Sequence, residues 1–417
     1  MNMHTLHTPL PAFGGYGIEL EYMIVDRETL RVRPLAPQLL AHVKPVVGPD
    51  GTPLGWSNEL VAHVVELKND RPCAMLEPLV AGFEAEIARA NDALATVGAR
   101  LMPTGMHPWM DPVHETELSP HDQGGIYAAR AAIFNCRSHG WANVQAMHLN
   151  LPFSGDDEFA RLHAAIRLVL PILPALAASS PLADGKRATA LDQRLIAYRS
   201  NASALPSITG QVVPEPVRTR AEYRTKILEP MYAEIAPHDP DGILQHEWLN
   251  SRGAIARFDR SAIEIRVFDV QECPLADLAI AAATVSVVRA VYEREAGIPQ
   301  SRNTLDTATL AGVLDTCTRD GERAAIGNAS FLSMLGYPGR PCTAGELWAH
   351  LIGDCSPDAP VHAPAFRDAL DVILEEGPLA RRILRALSGS VALFRVREVY
   401  RELCDCLESG ALFRRAV

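Results

Sequence analysis

At 417 residues, with 48% apolar and 21% charged residues, the chain has room for one large domain or two smaller ones and the composition of an ordinary globular protein. Its formal net charge of −11 argues against a nucleic-acid partner, since phosphate contacts need a basic face, but allows a small anion in a locally basic pocket. The segment MNMHTLHTPLPAF has no basic n-region, LVLPILPALAA (168–178) is too short for a membrane span, and eight scattered cysteines without CxxC pairs read as reduced thiols, so a cytoplasmic protein is expected.

The first element is GIELEYMIVD (17–26). As a strand it puts Ile18, Leu20, Tyr22 and Ile24 on one face, and Glu19 and Glu21 on the other. Two carboxylates about 7 Å apart on one face repel unless water, a basic side chain or a metal ion lies between them. A second strand-like run, at about 59–67, offers Glu59, His63 and Glu66 with a less regular alternation. A helical pattern from Leu76 ends near Gly98. NVQAMHLNLPF predicts a strand with His148 and Asn150 opposite Met147, Leu149 and Leu151. An acid-opened helix follows from Asp156. SAIEIRVFDVQ (261–271) predicts a strand with Glu264 and Arg266 opposite Ile263, Ile265 and Val267. Pro/Gly clusters at 45–55, 103–112 and 205–216 read as loops. From about 275 the pattern is helical, with stretches at 275–295, 305–318, 343–352, 364–375 and 378–409. Residues 1–275 are therefore expected to form an α+β catalytic body, and 276–417 a helical C-terminal part packed on it, with one single domain as the alternative.

A solvated face of an antiparallel sheet explains polar alternation on any one strand. Such faces favour Thr, Lys, Ser and Gln, whereas these three carry Glu, Glu, His, Asn, Glu and Arg. Carboxylates converging on one face need cations. Oxygen ligands suit Mg2+, and a single imidazole among them also suits Mn2+. An arginine beside them suits a phosphate or a phosphoryl transition state. The residues thus read as a divalent-metal site that handles phosphate. Common nucleotide loops are absent: Gly185-Lys186 lacks the earlier glycine and the following Ser/Thr of a P-loop, and no GxGxxG or GxSxG occurs. His246-Glu247 opens an HExx pattern that ends in Asn250 rather than histidine.

Six stretches, in order, carry a resemblance: GIELEYMIVD, VELKND (65–70), TGMHP (104–108), AMHLNLP (146–152), ASSPLADG (178–185) and AIEIRVFDVQ (262–271). Over about residues 14–290 the chain resembles the carboxylate–amine ligases of the glutamate–cysteine ligase type 2 family. The resemblance implies a glutamine-synthetase-like fold, an antiparallel sheet curved into a funnel with helices outside, that binds ATP with Mg2+. A substrate carboxylate would attack the γ-phosphate to give an acyl phosphate, and an amine would displace phosphate. By position, Glu19, Glu21, Glu66 and Glu264 look like the metal carboxylates, His148 like the histidine near metal or nucleotide, and Arg266 like the arginine that steadies the phosphoryl group. Asn150 stands where the family usually has a second histidine, and an amide there could read substrate or nucleotide. Arg252, Arg257 and Arg260 are expected near ATP phosphates or a substrate carboxylate. Tyr198-Arg199 matches a recurring pair, and His107 reads as a loop histidine that orders the site. The expected partners are a small carboxylic acid, glutamate by resemblance, and an amine, with no nucleic acid or membrane and with a homo-oligomer left open. The alternatives are a phosphotransferase on the same fold and a catalytically silent nucleotide-binding member.

Overall fold

Where the alternation is strict, the chain is extended. The computed structural model describes residues 9–43, 46–47, 51, 53–120, 125–294, 305–338 and 340–414, so the first eight residues of the N-terminal segment read above lie outside it. Its strands are β1 (Gly17–Asp26), β2 (Val46–Val47), β3 (Pro53–Asn58), β4 (Val64–Asn69), β5 (Ala99–Met102), β6 (Ala146–Pro152), β7 (Leu182–Ala183), β8 (Lys186–Arg187), β9 (Ala254–Arg257), β10 (Ala262–Asp269), β11 (Ala325–Ile326) and β12 (Cys342–Thr343). One eight-stranded sheet runs β2-β3-β4-β1-β6-β10-β9, with β5 beside β1 off this path, while β7 pairs with β8 and β11 with β12 in separate ribbons. β6 pairs with the first half of β1 and β5 with its second half, and every pair in the sheet is antiparallel. The expected α+β fold with a large antiparallel sheet is what the chain adopts.

The apolar face of the sheet is fully covered. Ile18, Leu20, Tyr22, Leu149, Leu151, Ile263 and Ile265 have no exposed surface. Helix Glu77–Ala95 packs on β3 and β5 through a face that buries Leu79, Phe83, Ile87, Ala90 and Leu94, the spacing of a single helical stripe. Helix Pro274–Arg294 packs against that helix and against Gly155–Val169, and also against Ala344–Gly353 and Pro364–Glu376. The hydrophobic core is therefore continuous across residue 275. Among the described residues Pro274–Arg294 is the one helix long and apolar enough to cross a membrane, but 83% of its apolar window is buried within the fold.

Several boundaries differ from the sequence reading, each for a local reason. The strand expected at 59–67 begins only at Val64, because a turn closed by Val64 N–H on the Val61 carbonyl precedes it. The helix from Asp156 stops at Val169; Pro171 and Pro174 supply no backbone donors, and a 3-10 turn and a four-residue helix take over. The stretch 378–409 is two helices, Leu379–Ala386 and Leu393–Ser409, separated by a turn with Gly389 at φ 79°. β3 lay inside or beside an expected loop, and helix Gln193–Ser200 was not anticipated.

Candidate functional site

The other face of the sheet collects the charges. The register sets Glu19 opposite Lys68 on one side and His148 on the other, Glu21 opposite Glu66, and Asn150 opposite both Gly17 and Glu264. Side chains two apart along a strand share a face, so four adjacent strands contribute to one acidic patch. His148 Nδ1 is 3.0 Å from Glu19 Oε2 and 3.8 Å from Glu264 Oε1, and its Nε2 is 3.9 Å from Glu21 Oε1. Asn150 Nδ2 donates to Glu19 Oε1 at 3.1 Å, and the Ala146 amide donates to Glu21 Oε2 at 2.7 Å. Glu66 Oε1 accepts from Ser57 Oγ at 2.8 Å and pairs with Lys68 Nζ at 2.5 Å. Glu264 Oε1 is 2.7 Å from Arg266 Nη2, and Arg257 approaches its other oxygen at 3.5 Å.

Two triads have ligand atoms within 4.8 Å of one another: Glu19, His148 and Glu264, and Glu21, Glu66 and His148. Five of the nine residues expected at the site thus form the two triads, and Asn150, Arg257 and Arg266 touch their carboxylates. Arg252 does not. Its guanidinium is bidentate to Glu215 at 2.6 and 2.7 Å and donates to the Ser207 carbonyl and to Asn150's namesake on its own loop, Asn250, so its hydrogen-bonding capacity is spent inside the protein. In this arrangement it anchors its own loop. Arg260 is exposed and lies near Asp259, and His107 is buried with Nε2 2.7 Å from the Leu30 carbonyl, ordering its loop.

Burial and like charge work against ionisation of part of this cluster. Burial pushes Glu21 up, and burial together with the neighbouring Glu66 and Glu21 pushes Glu59 well up. Burial also opposes charge on Glu19, but the His148 hydrogen bond holds its carboxyl below the usual range. Against the same penalty Arg266, His148 and Arg257 hold Glu264 down. Burial disfavours protonated His148, yet Glu19, Glu21 and Glu264 raise its pKa. Lys68 is likewise raised against burial by Glu66.

Four further groups lie near the cluster, of which the sequence reading names Glu59 and Tyr198 without a place at the metal site and does not name Lys68 or Arg130. Glu59 stands at the start of the expected strand 59–67 and has no metal role in that reading; it lies within electrostatic reach of Glu66, Glu21 and Glu19. Lys68 shares the face of Glu66 two positions on, which the strand period already signals. Tyr198, on helix Gln193–Ser200, faces Arg266. Arg130, on helix Ile126–Ile133, has its guanidinium 5.1 Å from the Trp248 ring centre and 5.6 Å from that of Trp141. Its buried Nε has no hydrogen-bond partner, and burial followed by repulsion from Arg266 lowers its pKa. No short-range sequence signal links Arg130 to two tryptophans that follow it by 11 and 118 positions.

A shared anchor explains the two motifs that carry no metal ligand. Asp269 accepts from the Ser179 amide at 2.8 Å, Ser180 Oγ at 2.6 Å and Arg194 Nε at 2.5 Å. Ser179 Oγ accepts in turn from the Gly105 amide at 2.8 Å. A Cβ at Gly105 would fall 2.4 Å from the Asp269 carboxyl carbon, so only glycine fits there. Arg194 also donates to the Arg266 carbonyl at 3.3 Å. Arg266 itself sits where the β10–β6 register shifts between Ile265 and Phe268, a bulge of the kind that re-aims side chains. A cavity of about 560 Å³ bounded by Gln193, Ile196, Ala197, His139 and Asp184 contains none of the acidic cluster.

The sequence pattern of glutamate–cysteine ligase family 2 (GCS2) matches residues 16–402. A protein of Archaeoglobus fulgidus, described only as uncharacterized, is 38% identical over 237 residues, covering 56% of this chain and 63% of the relative. The chain thus spans less than two thirds of that relative's length. Among solved structures, a glutamate–cysteine ligase from Francisella tularensis in complex with AMP gives a TM-score of 0.60 at 13% identity, over 94% of this chain and 89% of that one. A bifunctional glutathione synthetase from Pasteurella multocida gives 0.53 at 13% identity, over 95% of this chain and 52% of that one. At these identities the structural likeness speaks for the fold, and the sequence pattern, spanning most of the chain, settles the family: the chain belongs to glutamate–cysteine ligase family 2.

Proposed function

We propose that this chain is an ATP-dependent carboxylate–amine ligase. It would activate a carboxylate, the γ-carboxylate of glutamate by the family's name, as an acyl phosphate, and join it to an amine with release of ADP and phosphate. The observation that carries this reading is the pair of acidic triads sharing His148, with Arg266 beside them. The donor set of four carboxylates and one imidazole fits Mg2+, and also Mn2+. Glu19 and Glu264 would hold one ion and Glu21 and Glu66 a second, with the neutral His148 imidazole ligating one of them through its single free nitrogen. Bound there, the ions would neutralise the oxygens of a triphosphate so that a second anion can approach.

The chain's own groups supply the rest. Asn150 and the Ala146 amide fix the rotamers of Glu19 and Glu21. Arg266, aimed by its bulge and backed by Arg194, offers fixed positive charge where charge develops on the transferring group. Lys68 and Arg257 flank the cluster on opposite sides and complete a cationic border for phosphate oxygens. Arg130, held between two indoles and lacking a carboxylate of its own among the described residues, suits the second carboxylate of an amino-acid substrate. The AMP bound to the Francisella tularensis ligase supports a nucleotide in this fold.

The test is a phosphate-release screen of purified protein with ATP, Mg2+ and glutamate against a panel of amines, with mass spectrometry of the products. Amine-dependent phosphate release with a matching amide product supports the ligase. ADP formation that ignores every amine contradicts it.

A further inference from the structure

A second charged cavity lies apart from the acidic cluster. Its volume is about 330 Å³, and Arg187, Arg319, Arg323 and Arg381 line it, with Thr189 and Leu191 in the wall between them. Two carboxylates serve these four guanidiniums. Asp320 pairs with Arg319 at 3.0 Å, and Glu322 pairs with Arg323 at 3.1 Å and Arg381 at 2.8 Å. Arg187 has no carboxylate partner among the described residues. The cavity therefore keeps a surplus of two positive charges in a chain whose net charge is −11. Like charges gathered this way repel, and a bound anion relieves the repulsion. Planar guanidiniums converging from three segments suit the oxygens of a phosphate group.

The wall of this cavity leads into a helix that hydrogen-bonds the backbone of Arg266, beside the acidic site. Residues Arg187–Leu191 run into Asp192, whose carboxylate caps helix Gln193–Ser200 by accepting from the Leu195 amide at 2.8 Å. The Leu191 and Asp192 amides donate to the carbonyls of Arg319 and Thr318, which ties this wall to the opposite one. The same helix carries Arg194, paired with Asp269, and Tyr198, which faces Arg266. An anion that draws Arg187 towards Arg319, Arg323 and Arg381 would stiffen the segment on which that helix is hung.

We propose that this cavity is a binding site for a small phosphate-bearing anion, distinct from the acidic cluster and coupled to it through helix Gln193–Ser200. The anion is free pyrophosphate or the phosphate end of a nucleotide. The site goes beyond the ligase reading and does not depend on it.

Calorimetry of the full chain with pyrophosphate in EDTA, which removes divalent ions, tests binding without the acidic cluster. The comparison is among wild type, the double variant Arg187→Ala/Arg323→Ala, which alters two exposed side chains, and Arg266→Ala. Wild type and Arg266→Ala should bind alike, and the double variant at least tenfold more weakly. An ADP arm separates the sources: the same loss with ADP assigns the nucleotide end, and a loss confined to pyrophosphate assigns the free anion. No binding at millimolar pyrophosphate, binding indifferent to the double variant, or binding lost in Arg266→Ala would overturn the site. Hydrogen exchange reads the coupling: pyrophosphate should slow exchange across residues 193–200 in wild type and not in the double variant. Unchanged exchange there in a protein that binds pyrophosphate contradicts the coupling.

Discussion

His148 turns Nδ1 towards Glu19 at 3.0 Å and Nε2 towards Glu21 at 3.9 Å, so a single imidazole belongs to both acidic triads. Glu19 and His148 are cross-strand partners, and Glu21 follows Glu19 on the same face. This arrangement makes a stoichiometric prediction. Electron paramagnetic resonance should count two Mn2+ ions per chain in the presence of nucleotide. His148→Ala should weaken both by about 10–100-fold, as loss of a metal-site residue does. Unaltered affinity for both ions would remove His148 from the site.

Arg266 separates binding from chemistry. It sits in a bulge of β10, paired with Glu264 at 2.7 Å. Arg266→Ala should lower kcat by about 10²–10³-fold, the usual cost of one fixed transition-state charge, while the Kd for ATP changes much less. Rapid-quench and equilibrium binding measurements give the two numbers. An equal loss in both would make Arg266 a binding residue only.

Arg130 bears on the acid substrate. Its guanidinium lies 5.6 Å from the Trp141 ring centre and 5.1 Å from that of Trp248, and its Nε is out of water, so a carboxylate meeting it there gains more than it would in bulk solvent. Arg130→Ala should raise the KM for the carboxylate substrate by about one to two orders of magnitude, in line with a charge-assisted hydrogen bond of 1.5–3 kcal/mol, that is, about 10- to 100-fold. The KM for ATP should hardly move. Arg130→Lys should recover only part of the loss, because an ammonium cannot reproduce the bidentate fork. A rise confined to the KM for ATP would place Arg130 against the nucleotide instead.

Acid should destabilise the fold through buried neutral histidines. Burial lowers His63 and His107 to about 4 and His163 to about 3, and neither nitrogen of His163 has a hydrogen-bond partner. Above the unfolded value of about 6.5 all three are neutral in both states. As pH falls below it the unfolded chain takes up protons first, so each histidine removes about 1.4 kcal/mol per pH unit until its folded pKa is reached. Urea unfolding at pH 7 and pH 5 should show the loss, and His163→Leu should flatten the slope by one group's share. A slope unchanged by that substitution would mean His163 is protonated in the folded protein.

Much of the site could be read from strand periodicity. Glu19, Glu21, His148, Glu264 and Arg266 alternate with apolar residues, and the period-2 rule alone places them on one face. Period also held the information about Lys68. What it could not carry was register and loop geometry. Glu59 lies ahead of β4, where the alternation fails, and Arg130 approaches from a helix that no strand rule describes. Arg252 shows the converse limit: its nearness in sequence to β10 suggested a phosphate contact, and the fold pairs its buried guanidinium with Glu215, a partner no sequence signal marks. The Asp269 anchor joins segments about 75–165 positions apart, so the reason for Gly105 and Ser179 appears only in three dimensions.

The central claim is that carboxylates from separate strands gather to hold divalent cations against a triphosphate. Calorimetric titration of a non-hydrolysable ATP analogue into wild type and Glu264→Gln, each with Mg2+ and with EDTA, tests it most directly. The account predicts tight binding by wild type with Mg2+, a loss of at least tenfold in EDTA, and a comparable loss in Glu264→Gln with Mg2+. Binding of equal strength in all four titrations would contradict it.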